Sequence, residues 1–364
     1  MIFVFAFFLL IYALLIFLFI LGLTKIKRNY LISVTELPFL TVVVACRNES
    51  NNLKHLAKTL INQNYPIEKF EIILVNDHSI DTTADVLRDI EKSDNRFRIL
   101  HLTSNCFGKK AALRKGIEHA QGDIIAVTDA DCRIPSNWLS GIANSFANKQ
   151  IKLLLGAVKM ESKNFFESLQ ALEFNSLIGS SMGAAMMGFP FLANGANMAF
   201  RKTSFLETDI KPNIASGDDI FLLQGIKSKY GASAITFLTD PSTVILTKPK
   251  KTLQAFLLQR LRWLSKSKGY SDPQIIFIGI IIFTTNILLL IGCLFFCSLW
   301  PYFLAGLVAK FSVDFILLFF SSRFLRQKSL LIYSFPLLII YPFYLFLVSL
   351  LALFKTPEWK ARKI

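Results

Sequence analysis

The chain begins and ends with long apolar stretches, and most of its charged residues lie between them. Residues 1–23 carry no charge, and three further apolar stretches occupy residues 275–300, 302–320 and 330–354. A helix of about 20 apolar residues crosses the hydrocarbon layer of a bilayer. The pattern predicts a transmembrane helix over residues 1–23 and a C-terminal membrane region of about three segments over residues 275–354.

A cleaved signal peptide is the competing interpretation of residues 1–23. Such a peptide has a basic start, a shorter apolar core and a small-residue cleavage site. The sequence lacks these features and favours an uncleaved anchor. Lys25, Lys27 and Arg28 follow the apolar stretch, so the positive-inside rule predicts that the next domain is cytoplasmic.

The middle C-terminal segment contains two charges, Lys310 and Asp314. They are four residues apart, so they share a helix face and can form an ion pair. A lone charge in mid-membrane costs about 2.5–3.5 kcal/mol on insertion scales. We therefore expect the pair to face other helices or a polar cavity. A structural ion pair is favoured over a contact with a polar acceptor.

The sequence leaves the side of the C-terminus open. Four full spans place both termini on the outer side, whereas a basic tail favours the cytoplasm. The basic residues of the tail are Lys355, Lys360, Arg362 and Lys363. A re-entrant or interfacial segment would resolve the conflict, and residues 330–354, interrupted by Pro336 and Pro342, are the first candidate.

Between the membrane segments, short apolar runs alternate with helical patterns. The predicted strands are 39–46, 71–75, 97–102 and 123–128, and the predicted helices are 49–61, 81–90 and 109–120. Asn48 is the expected N-cap of the first of these helices. The alternation predicts an α/β fold with a doubly wound, mostly parallel sheet. We expect one domain over residues 38–240, followed by an interfacial helix within residues 241–270.

Composition narrows the range of partners. The chain has 364 residues, is 53% hydrophobic and has a net charge of +15. The basic residues cluster next to the apolar stretches, and there is no zinc-finger or RNA-binding signature. Anionic lipid headgroups therefore explain the charge better than nucleic acid does. The five cysteines form no CxxC motif, so buried, reduced thiols are expected.

The sharpest local feature is the motif Asp129-Ala130-Asp131, directly after the fourth predicted strand. Mg²⁺ and Mn²⁺ prefer oxygen ligands, commonly one or two carboxylates completed by substrate phosphates. A bridging metal neutralises the charge that develops on a diphosphate leaving group. Asp129 and Asp131 are therefore the predicted metal ligands; a turn or helix cap before Pro135 is the alternative.

Two other strands also end in polar residues, at 46–49 (CRNE) and 76–79 (NDHS). In a doubly wound sheet, ligands bind beyond the carboxyl ends of the strands. The three polar strand ends therefore predict one site.

These motifs resemble those of the family 2 glycosyltransferases, the group that includes cellulose, hyaluronan and chitin synthases and ceramide glucosyltransferase. The resemblance covers roughly residues 39–263 and implies a nucleotide-diphospho-sugar transferase fold. It also implies a nucleotide-sugar donor, with UDP as the default nucleotide. The residues that it assigns to the base and ribose are Ala45, Arg47, Glu49 and Asp77.

The second-strand motif departs from the usual family form. Asp commonly precedes the residue matching Asp77 and Gly follows it, whereas this chain has Asn76 and His78. The change keeps the polar character of the site and leaves the identity of the base open.

Gly108 precedes two lysines that open a predicted helix, Lys109 and Lys110. A helix start with lysines suits phosphate, and the family often has a Gly-Lys pair near the donor. Both lysines are therefore expected donor contacts, with a solvated helix face as the alternative.

Two further segments carry family roles by resemblance. Residues 195–201 (GANMAFR) resemble the acceptor-side segment, which implies substrate contacts by Gly195 and Asn197; a plain buried strand is the alternative. In residues 217–219 (GDD), Asp219 matches the general base, which would take the proton of the acceptor hydroxyl and so give inversion. Asp218 has a substrate-binding role in this comparison and is also a candidate N-cap.

Residues 259–263 (QRLRW) fit the pattern QxxRW of the family. Gln259, Arg262 and Trp263 lie within little more than one helical turn, so they can share a face. Arg suits a diphosphate and an aromatic face suits a sugar ring. A basic helix on the membrane surface is also compatible with this segment. For residues 165–190, core packing and a helix that guides a lipid acceptor remain equally open.

The sequence thus predicts an inverting glycosyltransferase that moves a sugar to a lipid-linked or membrane-delivered acceptor, with Mg²⁺ or Mn²⁺ as cofactor. Processive polysaccharide synthesis and a catalytically silent subunit that binds sugar nucleotides are the alternatives. A transporter is disfavoured, because most polar residues lie in one predicted soluble domain. The oligomeric state is left open.

Overall fold

The computed structural model describes residues 2–26, 37–211, 214, 216–294, 296–354, 358–359 and 362–363. The chain divides into two compact units that are interleaved in sequence. The helical unit comprises Met1–Ile26, Met160–Phe191 and Pro249–Ile364, and the sheet unit comprises Lys27–Lys159 and Leu192–Lys248. The predicted basic residues Lys27, Arg28, Lys355 and Lys360 lie outside the described residues.

In the part of the chain that the structure describes, nine strands precede the C-terminal membrane region. They are β1 (Leu40–Cys46), β2 (Phe70–Asn76), β3 (Phe97–His101), β4 (Ile124–Val127), β5 (Leu153–Leu155), β6 (Val158–Met160), β7 (Met198–Arg201), β8 (Ile235–Phe237) and β9 (Ile245–Thr247). Seven of them form one sheet in the order β3-β2-β1-β4-β7-β5-β8. Strand β7 runs antiparallel to both of its neighbours, and the other neighbouring pairs are parallel.

The helices of the sheet unit are α2 (Ser50–Ile61), α3 (Thr83–Ser93), α4 (Lys109–Glu118), α5 (Trp138–Phe146), α7 (Lys202–Leu206) and α8 (Asp218–Tyr230). Strands β1 and β4 are almost fully buried, as runs of Val, Ile and Leu in a parallel sheet should be. The predicted α/β fold with a mostly parallel sheet is confirmed. The predicted strands and helices are present, with ends within three residues of those expected.

One predicted cap is wrong. Helix α2 begins after Glu49, and no side chain caps it. Asn48 instead has a left-handed backbone, with φ of 52°. Its carboxamide oxygen accepts a hydrogen bond from the backbone N–H of Ile80 at 2.9 Å. The side chain is therefore engaged with the loop after β2, because Asn is one of the few residues that tolerate this conformation and bond locally.

The helical unit contains α1 (Ile2–Thr24), α6 (Phe165–Met186), α9 (Leu253–Ser265), α10 (Pro273–Leu294), α11 (Phe296–Phe324) and α12 (Ser334–Phe354). Helix α6 packs against α1 and α11. At the contact with α1, Gly183 and Gly22 let the two backbones meet, since a Cβ added at either would collide with main-chain atoms of the other helix.

Four segments of the described chain are long and apolar enough to cross a membrane: Ile2–Thr24, Pro273–Cys293, Trp300–Phe324 and Lys328–Ala352. They coincide with the four predicted membrane segments, including the Pro-interrupted one. The domain boundaries expected from the sequence, at residues 38–240 and 241–270, remain a prediction. In the structure, the segment Met160–Phe191 groups with these helices.

Candidate functional site

The ends of β1 and β2 are held together by hydrogen bonds between the loops that follow them. Cys46 and Asn76 are partners in the parallel register. The guanidinium of Arg47 is buried and donates from Nη1 to the carbonyl oxygens of Asp77, at 2.8 Å, and of His78, at 3.1 Å. Arg47, expected to contact the nucleotide, thus holds the main chain that carries Asp77.

Asp77 links this loop to the start of α4. Its side chain is 1% exposed, and its Oδ2 accepts a hydrogen bond from the backbone N–H of Gly108 at 3.1 Å. Gly108 precedes α4 with φ of 94°, a conformation that favours glycine. The carboxylate of Asp77 therefore fixes the position where the lysine-bearing helix begins.

The two departures from the usual family motif have local structural roles. Asn76 Oδ1 accepts a hydrogen bond from Ser79 Oγ at 2.7 Å and closes the turn after β2. His78 has φ of 50°, and its ring centroid lies 4.7 Å from that of Phe107. The exposed ring of Phe107 thus forms an aromatic pair with His78 beside Asp77.

Lys109 joins two of the acidic motifs. Its Nζ lies 2.8 Å from Oδ1 of Asp129 and 3.5 Å from Oδ2 of Asp218. Burial lowers the pKa of the Lys109 ammonium, but the carboxylates of Asp129, Asp218 and Asp219 outweigh burial and hold that pKa above its ordinary value. The ammonium is therefore a permanent positive charge among three carboxylates.

Gly195, the glycine expected on the acceptor side, lies against the same cluster. The backbone N–H of Gly195 donates to Oδ2 of Asp219 at 3.3 Å. A Cβ at Gly195 would stand 3.2 Å from both Asp218 Oδ2 and Lys109 Nζ. Lys109, Asp129, the acidic pair Asp218-Asp219 and Gly195, which are far apart in sequence, thus meet at one point.

Helix α8 begins differently from the predicted cap. Gly217 is its N-cap, with φ of 90°, and Asp218 is already helical. The expectation that Asp218 caps this helix is therefore wrong, because a left-handed glycine takes that position. Asp218 is buried, and its Oδ2 makes no hydrogen bond among the described residues. The ammonium of Lys109, 3.5 Å away, balances its charge instead.

Lys110 and Asn197 are engaged elsewhere in the sheet unit. Lys110 Nζ donates to the carbonyl oxygens of Ile210, at 2.7 Å, and of Lys211, at 2.8 Å. Asn197 accepts from the indole of Trp138 at 2.8 Å and donates to a carbonyl oxygen of Ala157 at 2.8 Å. Both side chains are buried and hold loops in place, which sequence spacing alone does not reveal.

The donor set suits a divalent cation. Within the described ranges, no three His, Cys, Asp or Glu side chains are grouped so as to hold a metal. Mg²⁺ and Mn²⁺ do not require such a group, because Mg²⁺ is usually bound through one or two carboxylates plus substrate phosphates and water. Asp129 and Asp131, two carboxylates directly after β4, fit this requirement.

The QxxRW segment lies in the helical unit, on α9, where Gln259, Arg262 and Trp263 are helical as predicted. Sequence reasoning missed the residue between them. Arg260 is buried, forms an ion pair with Glu173 of α6, and lies 4.2 Å from the ring of Trp263. The one signal for this arrangement is an acidic residue within an otherwise mostly apolar helix.

The fold and the site together define a class of protein. The mostly parallel sheet with one reversed strand agrees with the nucleotide-diphospho-sugar transferase fold that the resemblance implies. The family described as "Glycosyl transferase family 2" matches residues 41–208. The resemblance drawn from the motifs is thereby confirmed, and this segment is a family 2 glycosyltransferase domain.

Two curated relatives show the range of the family. A beta-monoglucosyldiacylglycerol synthase of Nostoc sp. is 29% identical over 177 residues, which is 43% of this chain and 37% of the relative. A poly-beta-1,6-N-acetyl-D-glucosamine synthase of Staphylococcus aureus is 28% identical over 240 residues, 64% of this chain and 55% of the relative. The chain thus spans about a third to a half of the relatives' length.

One solved structure has the same fold over nearly the whole chain. It is the mannosyltransferase PcManGT from Pyrobaculum calidifontis in complex with GDP-Man and Mn²⁺. The similarity covers 96% of both chains, with a TM-score of 0.63 at 17% sequence identity.

Proposed function

We propose that this protein is an inverting glycosyltransferase that moves a sugar from a nucleotide sugar to a lipid-linked or membrane-delivered acceptor. The observation that carries the proposal is the convergence at Lys109. This one ammonium contacts Asp129 of the Asp-x-Asp motif and Asp218 of the second acidic pair. Gly195, on the expected acceptor side, bonds to Asp219 at the same point.

Each residue of the cluster has a role in a single displacement. Asp219 takes the proton of the acceptor hydroxyl while that oxygen forms a bond to the anomeric carbon. The bond from the anomeric carbon to the diphosphate oxygen breaks, and the nucleoside diphosphate leaves. Lys109 offers a fixed positive charge close to where the leaving group gains its negative charge. One displacement inverts the anomeric centre.

The donor site is proposed at the ends of β1 and β2. Ala45, Arg47, Glu49 and Asp77 would surround the base and ribose, with UDP as the default nucleotide. Asp129 and Asp131 would hold Mg²⁺ or Mn²⁺, which, when bound, neutralises charge on the diphosphate. The complex of PcManGT with GDP-Man and Mn²⁺ supports a nucleotide sugar and a divalent cation here. Competition between UDP and GDP for binding distinguishes the two bases.

Two details of the donor site are revised by the contacts described above. Arg47 would act on the nucleotide through the main chain of Asp77 and His78, which it holds. Lys110 would position the loop at Ile210 and Lys211 instead of contacting phosphate. Lys109 is the lysine that we assign to the donor phosphates.

The catalytic domain is proposed to be cytoplasmic, where nucleotide sugars are made. Lys25, directly after the first candidate span, favours this side. Four candidate spans would give the enzyme direct access to acceptors in the bilayer. We favour a single transfer to a lipid, in line with the name of the Nostoc relative, a glucosyldiacylglycerol synthase.

Processive synthesis of a polysaccharide is the second candidate, favoured by the similarity to a poly-N-acetylglucosamine synthase. The length of the product decides between them. Purified enzyme in membranes, supplied with labelled nucleotide sugar, should give one lipid product of defined mass. A ladder of polymers would instead establish processive synthesis.

The assignment of the base is tested with Asp219→Asn. We expect transfer to fall by about 10²–10⁴-fold, while binding of the nucleotide persists, because the base does not hold the donor. Asp89→Asn, an exposed position on α3, is the matched control and should leave transfer unchanged. Loss of nucleotide binding in Asp219→Asn would refute this assignment. If the wild-type protein binds the nucleotide sugar fully but transfers no sugar, the protein is instead a catalytically silent subunit.

A further inference from the structure

The helical unit contains a cleft that is lined by none of the residues with an assigned role in the proposed reaction. Its volume is about 90 Å³, enough for several water molecules or a small polar group. One part of its wall is polar, with Tyr12, Lys310, Asp314 and Tyr341. The rest is mostly apolar, with residues such as Ile282 and Leu338, and also includes Ser176, Ser180 and Ser334. The cleft therefore has the two-sided character of a lipid, with a polar head and an apolar chain.

The polar wall lies at the centre of the candidate membrane spans. Tyr12, Lys310 and Tyr341 of the polar wall come from three different spans, and the apolar Ile282 beside them comes from the fourth; each is within two residues of the middle of its span. Four helices thus bring their central residues to one place. Polar residues at this level are costly in a bilayer and are usually functional.

The charges of the wall cancel each other. Lys310 is 3% exposed, and its Nζ lies 2.6 Å from Oδ2 of Asp314, as the i, i+4 spacing predicts. Tyr12 donates its hydroxyl to Oδ1 of the same carboxylate at 2.6 Å. The carboxylate thus has a partner on each oxygen, while its side chain remains 23% exposed. The predicted ion pair is confirmed, and it borders an open space.

The hydrogen-bond donors of the polar wall that are not already used indicate which kind of ligand the cleft would bind. An ammonium has three N–H groups, and Asp314 is the one hydrogen-bond acceptor of Lys310 among the described residues. Within those same residues, the Tyr341 hydroxyl has no hydrogen-bond partner. The wall thus offers donors to a ligand that accepts hydrogen bonds, such as an ester carbonyl or a hydroxyl.

The position of the cleft at the middle of the membrane spans and the balanced charges of Lys310 and Asp314 exclude a lipid with an anionic headgroup. The pair has no net positive charge to attract a phosphate, and Asp314 would repel one. An ionised group also costs far more to bring into hydrocarbon than an uncharged polar group does. An uncharged glycerol head with ester carbonyls satisfies both conditions.

We propose that this cleft binds an uncharged glycerolipid of the diacylglycerol type, with its glycerol ester region against Lys310 and Tyr341. The proposal goes beyond the proposed function, since binding of this lipid does not require sugar transfer. If the protein transfers sugar to a lipid, the cleft is where a lipid of this class is held.

The test uses the full-length protein in nanodiscs of phosphatidylcholine and a diacylglycerol that carries a photoactivatable diazirine in one acyl chain. Labelled peptides are located by mass spectrometry. We expect labelling on α11 and α12 around the cleft and competition by unlabelled diacylglycerol. Equal competition by phosphatidic acid, or labelling spread evenly over the lipid-facing surface, overturns the proposal.

Two variants test the polar wall. Tyr341→Phe removes one donor and should reduce labelling by about two- to tenfold, the value of one hydrogen bond. Tyr302→Phe, at an exposed position of α11 outside the cleft, is the matched control and should label like the wild type. Replacing Lys310 by Met together with Asp314 by Leu removes both charges at once and should reduce labelling further. Unchanged labelling in Tyr341→Phe contradicts the proposal.

A parallel measurement of nucleotide binding on the same samples separates this proposal from the proposed function. If the cleft variants lose labelling but still bind the nucleotide, the loss concerns the lipid site alone. Cleft labelling by a protein that fails to bind any nucleotide sugar supports the lipid site and refutes the transferase proposal.

Discussion

The ammonium of Lys109 lies 2.8 Å from Oδ1 of Asp129. This contact joins the first residue of α4 to the Asp-x-Asp motif after β4, 20 positions further along the chain. Because the same ammonium is 3.5 Å from Asp218, one side chain balances charge between the expected metal site and the acidic pair that contains the expected base, Asp219.

Replacing Lys109 by Met should lower kcat/KM for transfer by about 10²–10³-fold, the effect of removing one electrostatic donor from an active site. Lys109→Arg keeps the charge and should retain more activity. Steady-state kinetics with a saturating acceptor measures the change. Lys54→Met, at an exposed position of α2, is the control. Equal activity of Lys109→Met and Lys54→Met would exclude the proposed role.

Removal of divalent metal with EDTA should abolish transfer, and added Mn²⁺ or Mg²⁺ should restore it, because two carboxylates suit such a cation. Asp131→Ala should lose the metal-dependent part of nucleotide binding, measured by calorimetry with and without Mn²⁺. The thermal midpoint of the variant without ligand serves as the folding control. Transfer that continues in EDTA would disprove metal dependence.

Gly195→Ala should reduce transfer, because the new methyl group would stand 3.2 Å from both Lys109 Nζ and Asp218 Oδ2. That distance is shorter than an ordinary carbon contact, so the cluster has to shift by a few tenths of an ångström. A misplacement of about 1 Å can cost about 10²-fold in rate, so we expect a smaller loss here. Gly279→Ala, with open space around the added carbon, is the matched substitution. Kinetics that are identical for both variants would show that the cluster tolerates the displacement.

Glu173→Leu should destabilise the protein by about 3–5 kcal/mol, because it leaves the buried charge of Arg260 without its partner. Replacing Arg260 by Met in addition should restore most of that stability. Thermal unfolding in detergent measures both effects. Equal destabilisation of the single and double variants would show that the ion pair is not the cause. The double variant should still transfer sugar poorly, since Trp263 loses the guanidinium that stacks on it.

Cys132 should resist alkylation at pH 8. Burial raises the pKa of its thiol, and the carboxylates of Asp129 and Asp131 raise it further, so the reactive thiolate is suppressed. Cys106 is exposed and should react with iodoacetamide under the same conditions. Peptide mass spectrometry compares the two. Rapid labelling of Cys132 in the folded protein would mean that the thiol beside the Asp-x-Asp motif is open to solvent.

Much of the fold and half of the site are local properties of the chain. Runs of β-branched and other apolar residues predict β1, β2 and β4, since only buried parallel strands accommodate them. Polar residues directly after those strands predict a site at their carboxyl ends. The pairing of Lys310 with Asp314 also follows from sequence, because helical spacing of four residues alone brings them together.

Other features depend on contacts between distant residues. Arg260 meets Glu173 across 87 positions, and Asn197 meets Trp138 across 59. No local pattern identifies the partner in either pair, so the side chains were open to other roles. Gly217 takes the cap that Asp218 could have taken, because the turn there requires a left-handed backbone.

The sequence by itself determined the class of fold, the apolar spans and the residue types at the strand ends, because these follow from periodicity and local chemistry. The tertiary structure decided which of those residues meet: Lys109 joins the cluster, whereas Lys110 bonds to a backbone loop. It also decided that residues 160–191 group with the membrane helices. The physical reason is the same in each case, since burial and charge pairing depend on neighbours in space, and neighbours in space are set by packing.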